Sequence, residues 1–171
     1  MLVAMVATLL AVPFIVLLTL QLKSHDSRLA PLAYIQLICG TILLLEVLLP
    51  VILIGVGAFR PERAPELTQL INDTSFTILL WPFSPATLES AAVGLAILMD
   101  RGAQPLFSRW IGYFDLGVAA IFAAGAPTLF VKHGAFGWDG ALAFWAVLIG
   151  FALWVMVTFT SMLRAIGRQP Q

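Results

Sequence analysis

Charged residues gather into short clusters along this chain, and between the clusters run apolar stretches far longer than a strand. Residues 1–22 and 140–163 contain no Lys, Arg, Asp or Glu. About 20 mostly apolar residues in helical form cross the hydrocarbon core of a bilayer, and five stretches meet that length. They lie at about 2–22, 31–58, 75–99, 111–131 and 140–163. Glu46 interrupts the second, Glu89 the third, and Asp115 stands near the start of the fourth. The short alternating segments of a membrane barrel are absent, and only helices or closed barrels satisfy every backbone amide in lipid. The pattern predicts an all-α fold, a polytopic transmembrane helical bundle of five spans forming a single domain over 1–171.

Two connections carry further pattern. In the segment 60–73, Leu67, Leu70 and Ile71 follow Pro65 at helical spacing, and proline is favoured at a first helical position, so a short amphipathic helix is expected near 65–73 on the outer surface. The segment 130–140 holds three glycines and three aromatics, Phe130, Phe136 and Trp138, between two spans and reads as a tight hairpin clamped at the interface. Pro82 and Pro85 each lack an amide donor and clash with the preceding turn, so they are expected to interrupt the third span.

Composition agrees, with 61% hydrophobic and 11% charged residues against about a quarter charged in soluble domains. Nine basic and nine acidic residues give a net charge of zero, which removes the electrostatic term that nucleic-acid binding needs. The lone Cys39 excludes an internal disulfide or a cysteine metal cluster. Orientation follows from the basic residues of the connections. Lys23, Arg28, Arg101, Arg109, Arg164 and Arg168 fall on one side, and Arg60, Arg63 and Lys132 on the other. That bias predicts a multi-pass protein of the cell (inner or plasma) membrane with an outside N-terminus and a cytoplasmic C-terminus. Trp110 and Tyr113 fall at the inner edge, and Trp81, Phe136 and Trp138 at the outer, as aromatic belts should. The apolar run starts at Met1 with no basic lead, so either the chain enters the membrane at once or its reading frame begins upstream and adds a helix.

The stretch 107–166 contains Phe-Ser-Arg-Trp-Ile-Gly-Tyr-Phe-Asp, then Phe-Val-Lys-His-Gly-Ala-Phe-Gly-Trp-Asp-Gly, then Leu-Arg-Ala-Ile. In these motifs, and in Pro13-Phe14, Gln36-Leu37 and Phe59-Arg60-Pro61-Glu62-Arg63, the chain resembles a set of uncharacterised multi-pass membrane proteins of bacteria, frequent in actinobacteria. It departs from that set by having Asp115 and Asp139 in place of Asn and Ala135 in place of Pro. The resemblance implies a multi-pass membrane fold and an extra N-terminal helix, and brings no activity.

Candidate chemistry rests on the buried acids. A carboxylate at the bilayer centre costs at least ~2.5 kcal/mol, so Glu46 and Glu89 must face protein or water. At about 100° per residue, Cys39, Glu46 and Pro50 share one side of the second span, and Pro82, Pro85, Glu89 and Ala92 one side of the third. The two acids are expected at matched depth on neighbouring helices, as a proton-carrying or cation-binding pair or as hydrogen-bonded structural acids. Arg109 and Asp115 are expected to form an interfacial ion pair that fixes the depth of the fourth span. His25 and His133 lie on opposite sides of the membrane and cannot share a metal, and no hydrolase motif occurs, so no metal or cofactor is expected. The leading reading is a small non-enzymatic integral membrane protein, free-standing, homo-oligomeric or an accessory subunit beside other membrane subunits. A proton- or cation-coupled transporter or channel using Glu46 and Glu89 is the alternative, with a membrane enzyme acting on a lipid-soluble substrate behind it.

Overall fold

The computed structural model describes residues 2–25, 27–60, 62–102 and 105–167. Its helices are α1 (Leu2–His25), α2 (Ala30–Ala58), α3 (Pro65–Leu80), α4 (Phe83–Met99), α5 (Arg109–Ala123) and α6 (Val147–Ile166). With short turns attached they form five apolar spans, of 22, 32, 35, 21 and 33 residues, each long enough to cross a bilayer. The protein is an all-α, multi-pass integral membrane protein. Arg168, counted in the basic tail, and the start at Met1 lie outside the described residues.

The third span is the least regular. Its first helix, α3, ends at Leu80, the Trp81 amide still bonds Thr77 O at 3.0 Å, and Pro82 turns the backbone to ψ 59° before α4 starts at Phe83. Pro85 falls in the first turn of α4, where its missing amide would have had no intrahelical partner. The separate surface helix expected near 65–73 is corrected: those residues are the first half of α3, which continues to Leu80. The reason is packing. Helix α2, at 29 residues, outruns the bilayer core, and its end offers Gly57, where a Cβ would lie 3.4 Å from Ile71 of α3.

The fourth span is a shorter helix than its 111–131 run implied. Pro127 cannot donate to the Ala123 carbonyl, so α5 stops at Ala123 and a 3-10 turn, Ala126–Leu129, follows. The chain then doubles back through Gly134, whose φ of +78° suits glycine, and Trp138 sets its ring 5.2 Å from Phe76 of α3. Gly140 lies against the Ala135 carbonyl with no room for a Cβ. A π-helical turn, Ala141–Ala146, leads into α6.

We call the end of the bundle where α1 begins the N-end and the opposite one the C-end. The closest pair is α4 against α5. There a Cβ on Gly94 would stand 2.8 Å from the Gly112 carbonyl, the close backbone approach that small residues permit in membranes. Towards the C-end, Leu18, Leu22, Ala33, Ile97, Phe107 and Met162 close into a dry core. Towards the N-end the helices leave two cavities between them.

Candidate functional site

The larger cavity, about 560 Å³, lies between α1, α2 and α6, and α4 contributes one residue to it, Glu89. The smaller, about 310 Å³, lies between α2, the α3–α4 junction and the start of α6, and takes in Glu46, Pro50 and Pro82. Leu43, Val47 and Phe151 line both, so they are adjoining chambers with one dividing wall.

Glu89 is 1% exposed, and its position depends on a glycine. A Cβ on Gly40 would come within 2.6 Å of Glu89 Oε1, so the carboxyl rests directly over the α2 backbone at that point. Gln36, one helical turn earlier on α2, donates from Nε2 to Glu89 Oε1 at 3.3 Å. The Gln36 Oε1 lies 2.6 Å from Thr19 Oγ1 of α1, which also lies 2.8 Å from the Ile15 carbonyl. A threonine hydroxyl has one hydrogen and serves one of these acceptors at a time. Turning the Gln36 amide over exchanges donor and acceptor along the line. In one arrangement the amide donates to Glu89, and in the other a protonated Glu89 donates to Gln36 Oε1 while the amide donates to Thr19. The line accommodates the acid with or without its proton.

Glu46 is buried, and its Oε1 has no hydrogen-bond partner among the described residues. Pro50 lacks the amide that would otherwise bond the Glu46 backbone carbonyl. The Glu89 carboxyl lies level with Gly40, and the Cα of Glu46 lies about 9 Å nearer the N-end along α2 at 1.5 Å per residue, with its side chain tilted back towards the N-terminus of that helix. Gly40 sets how closely the acid approaches α2. The two glutamates sit on neighbouring helices and line adjoining chambers, near enough for their charges to act on each other.

The expected Arg109–Asp115 ion pair is also corrected. Arg109 opens α5 and is exposed, whereas Asp115 is 0% exposed and its carboxyl is directed at the Trp154 indole without a well-formed hydrogen bond to any described residue. Six residues turn a helix by about 600°, which puts the two side chains on different sides of α5. Asp115 instead faces Trp154 of α6 and stands beside Gly94 of α4, where a Cβ would lie 3.1 Å from its own. Ser90, one turn before Gly94, and Thr158, one turn after Trp154, also bury unpartnered hydroxyls.

Within its helices the bundle buries three acids, Glu46, Glu89 and Asp115, and among the described residues the basic side chains of the spans, Lys23, Arg28, Arg109 and Arg164, lie at or near the span ends. The sequence marks Gln36 only within the Gln36-Leu37 motif and does not mark Thr19 as a site residue, although polar side chains at helical spacing from a small residue signal an interior face. Trp154 reads as one more apolar residue in a charge-free span, and its neighbour Asp115 lies on another helix. His133 is exposed on the hairpin, and the side chain of His25 lies outside the described residues. Among the described residues, no three His, Cys, Asp or Glu side chains gather to hold a metal. No family model, no curated protein and no solved structure matches the chain.

Proposed function

We propose that the protein is a small proton-coupled membrane carrier in which Glu89 takes up and releases the proton. The observation that carries this reading is the position of Glu89, buried at a cavity in the N-end half and hydrogen-bonded through an amide that serves both of its protonation states. The dry core towards the C-end supports it, since a carrier presents its site to one side of the membrane at a time. Glu46, in the adjoining chamber and nearer the N-end, is the group that passes protons to and from Glu89. Asp115 is a third interior acid, on α5 beside Gly94 of the helix that carries Glu89.

The test is flux in sealed vesicles containing the purified full chain and an internal pH-sensitive dye. Under an imposed pH gradient, wild-type vesicles are expected to acidify at least tenfold faster than empty ones. Glu89→Gln preserves volume and hydrogen bonding while removing the exchangeable proton, and should return the rate to background with the protein still monodisperse in detergent. Glu46→Gln should slow the flux and keep part of it. Wild-type flux from Glu89→Gln rejects the carrier reading. Absent wild-type flux, together with stoichiometric co-purification of other subunits from native membrane, returns the chain to the role of an accessory subunit.

A further inference from the structure

The cavity between α1 and α6 has a composition that a proton path alone does not require. Its one acid is Glu89, and its other lining residues are apolar apart from Thr8, whose hydroxyl is turned to the Ala4 carbonyl at 2.8 Å, and Trp154, whose indole N–H is directed at Asp115. No Lys, Arg or His lines it. Four aromatic rings do, and they form one connected set. Phe14 meets Trp154 edge to face at 6.2 Å and Phe159 at 6.2 Å, and Trp154 stacks on Phe151 at 6.3 Å. Ring faces and a single carboxylate in an otherwise apolar chamber are the features that attract an organic cation. A neutral apolar guest has no use for the acid, and an anion is repelled by it. The volume of about 560 Å³ falls within the range of about 300–1,000 Å³ typical of small-molecule sites.

We infer that this cavity binds a lipophilic organic cation, with its apolar body against Phe14, Phe151, Trp154 and Phe159 and its charge held by Glu89 in exchange for the proton of that acid. The inference rests on the reading of Glu89 as the exchanging group, and supplies the cargo class. The exchange balances: a protonated Glu89 and a cation give a carboxylate–cation pair and one released proton, with no covalent change. Loss of the proton turns Gln36 to donate its amide to the carboxylate, so the site becomes anionic only as the cation arrives. The other groups facing Glu89 are Glu46 and Cys39 of α2 and Asp115 of α5, and none of them is basic. On α1 the facing polar group is Thr19, which does not titrate in this range.

Equilibrium binding of tetraphenylphosphonium to the detergent-purified full chain tests this, read by calorimetry and by Trp fluorescence. One saturable site is expected, with release of about one proton per cation in weak buffer and affinity that rises with pH. Glu89→Gln should weaken binding at least tenfold and abolish proton release. Ala11→Phe, which fills the cavity without touching the acid, should weaken binding at least tenfold in a protein that is still monodisperse. Neutral triphenylphosphine oxide should bind at least tenfold more weakly than the cation. Equal affinity for the neutral analogue, or full binding by Glu89→Gln, overturns the inference and leaves the cavity a groove for lipid acyl chains. Proton flux in vesicles without cation binding overturns the inference alone. Binding with proton release but no proton flux in vesicles even when the cation is supplied keeps the inference and rejects the carrier.

Discussion

Two glycines show how differently single residues act in this bundle. At Gly94 the atom opposite a new methyl is the Gly112 carbonyl oxygen, 2.8 Å away, and backbone cannot step aside without moving a helix. Gly94→Ala is therefore expected to destabilise the protein by about 1–3 kcal/mol, the usual range for overpacking, read as a lower thermal midpoint in detergent. At Gly40 the nearest atom is the tip of the Glu89 side chain, which can rotate away. Gly40→Ala should leave the midpoint close to wild type while breaking the Gln36–Glu89 contact, so that proton flux falls at least tenfold with the fold intact. A third residue separates the interior acid from the surface base. Arg109 is exposed and has no bond to Asp115, so Arg109→Gln should change stability by no more than about 0.5 kcal/mol. A loss of several kcal/mol would mean that the two are paired after all.

At the scale of elements, the α3–α4 junction forms part of the wall of the smaller cavity. Pro82 stands at the break and lines the cavity, whereas Pro85 is the third residue of α4, in a first turn that needs no donor. Pro82→Ala should let the two helices join, and Pro85→Ala should leave the break in place. Spin labels at the exposed positions Leu70 and Leu88 report this directly. Their separation should lengthen and its distribution narrow in Pro82→Ala, and should match the otherwise wild-type labelled protein in Pro85→Ala. Unchanged distances in both variants would show that packing against α2, rather than the proline, holds the bend. The early end of α5 follows the same logic, since Pro127 removes the next bond in the ladder and the close contact of Gly125 with Phe83 and Leu80 seals the bundle there.

At the scale of the whole molecule, one end is filled and the other hollow. Ten buried apolar side chains close the core towards the C-end, and both cavities open among helices in the N-end half. If the basic-residue bias sets orientation, the cavities face outward and the C-end core faces the cytoplasm. A C-terminal fusion to a reporter that matures only in the cytoplasm should then be active, and one that works only outside should be silent. The reverse result would turn the open half of the bundle towards the cytoplasm and reverse the direction of exchange.

Sequence by itself determined the membrane, the helical class and the number of spans, because length and apolar content settle whether a segment can cross lipid, and every backbone amide must then be bonded within its helix. It also marked Glu46, Glu89 and Asp115 as positions that need an explanation, and Pro82 as a place where the amide ladder has a gap. Partners were decided only by the tertiary structure. Asp115 has Arg109 nearby in sequence but meets Trp154 across a helix interface, because α5 turns its arginine outward and its aspartate inward. Gln36 and Thr19 became part of a site because Gly40 lets Glu89 approach α2 there, a depth no single helix encodes. A lipid-spanning pattern fixes which residues are apolar and leaves their rotational setting free. That setting comes from close packing at Gly40, Gly57 and Gly94, where the absence of one Cβ decides which helices touch and therefore which polar groups meet.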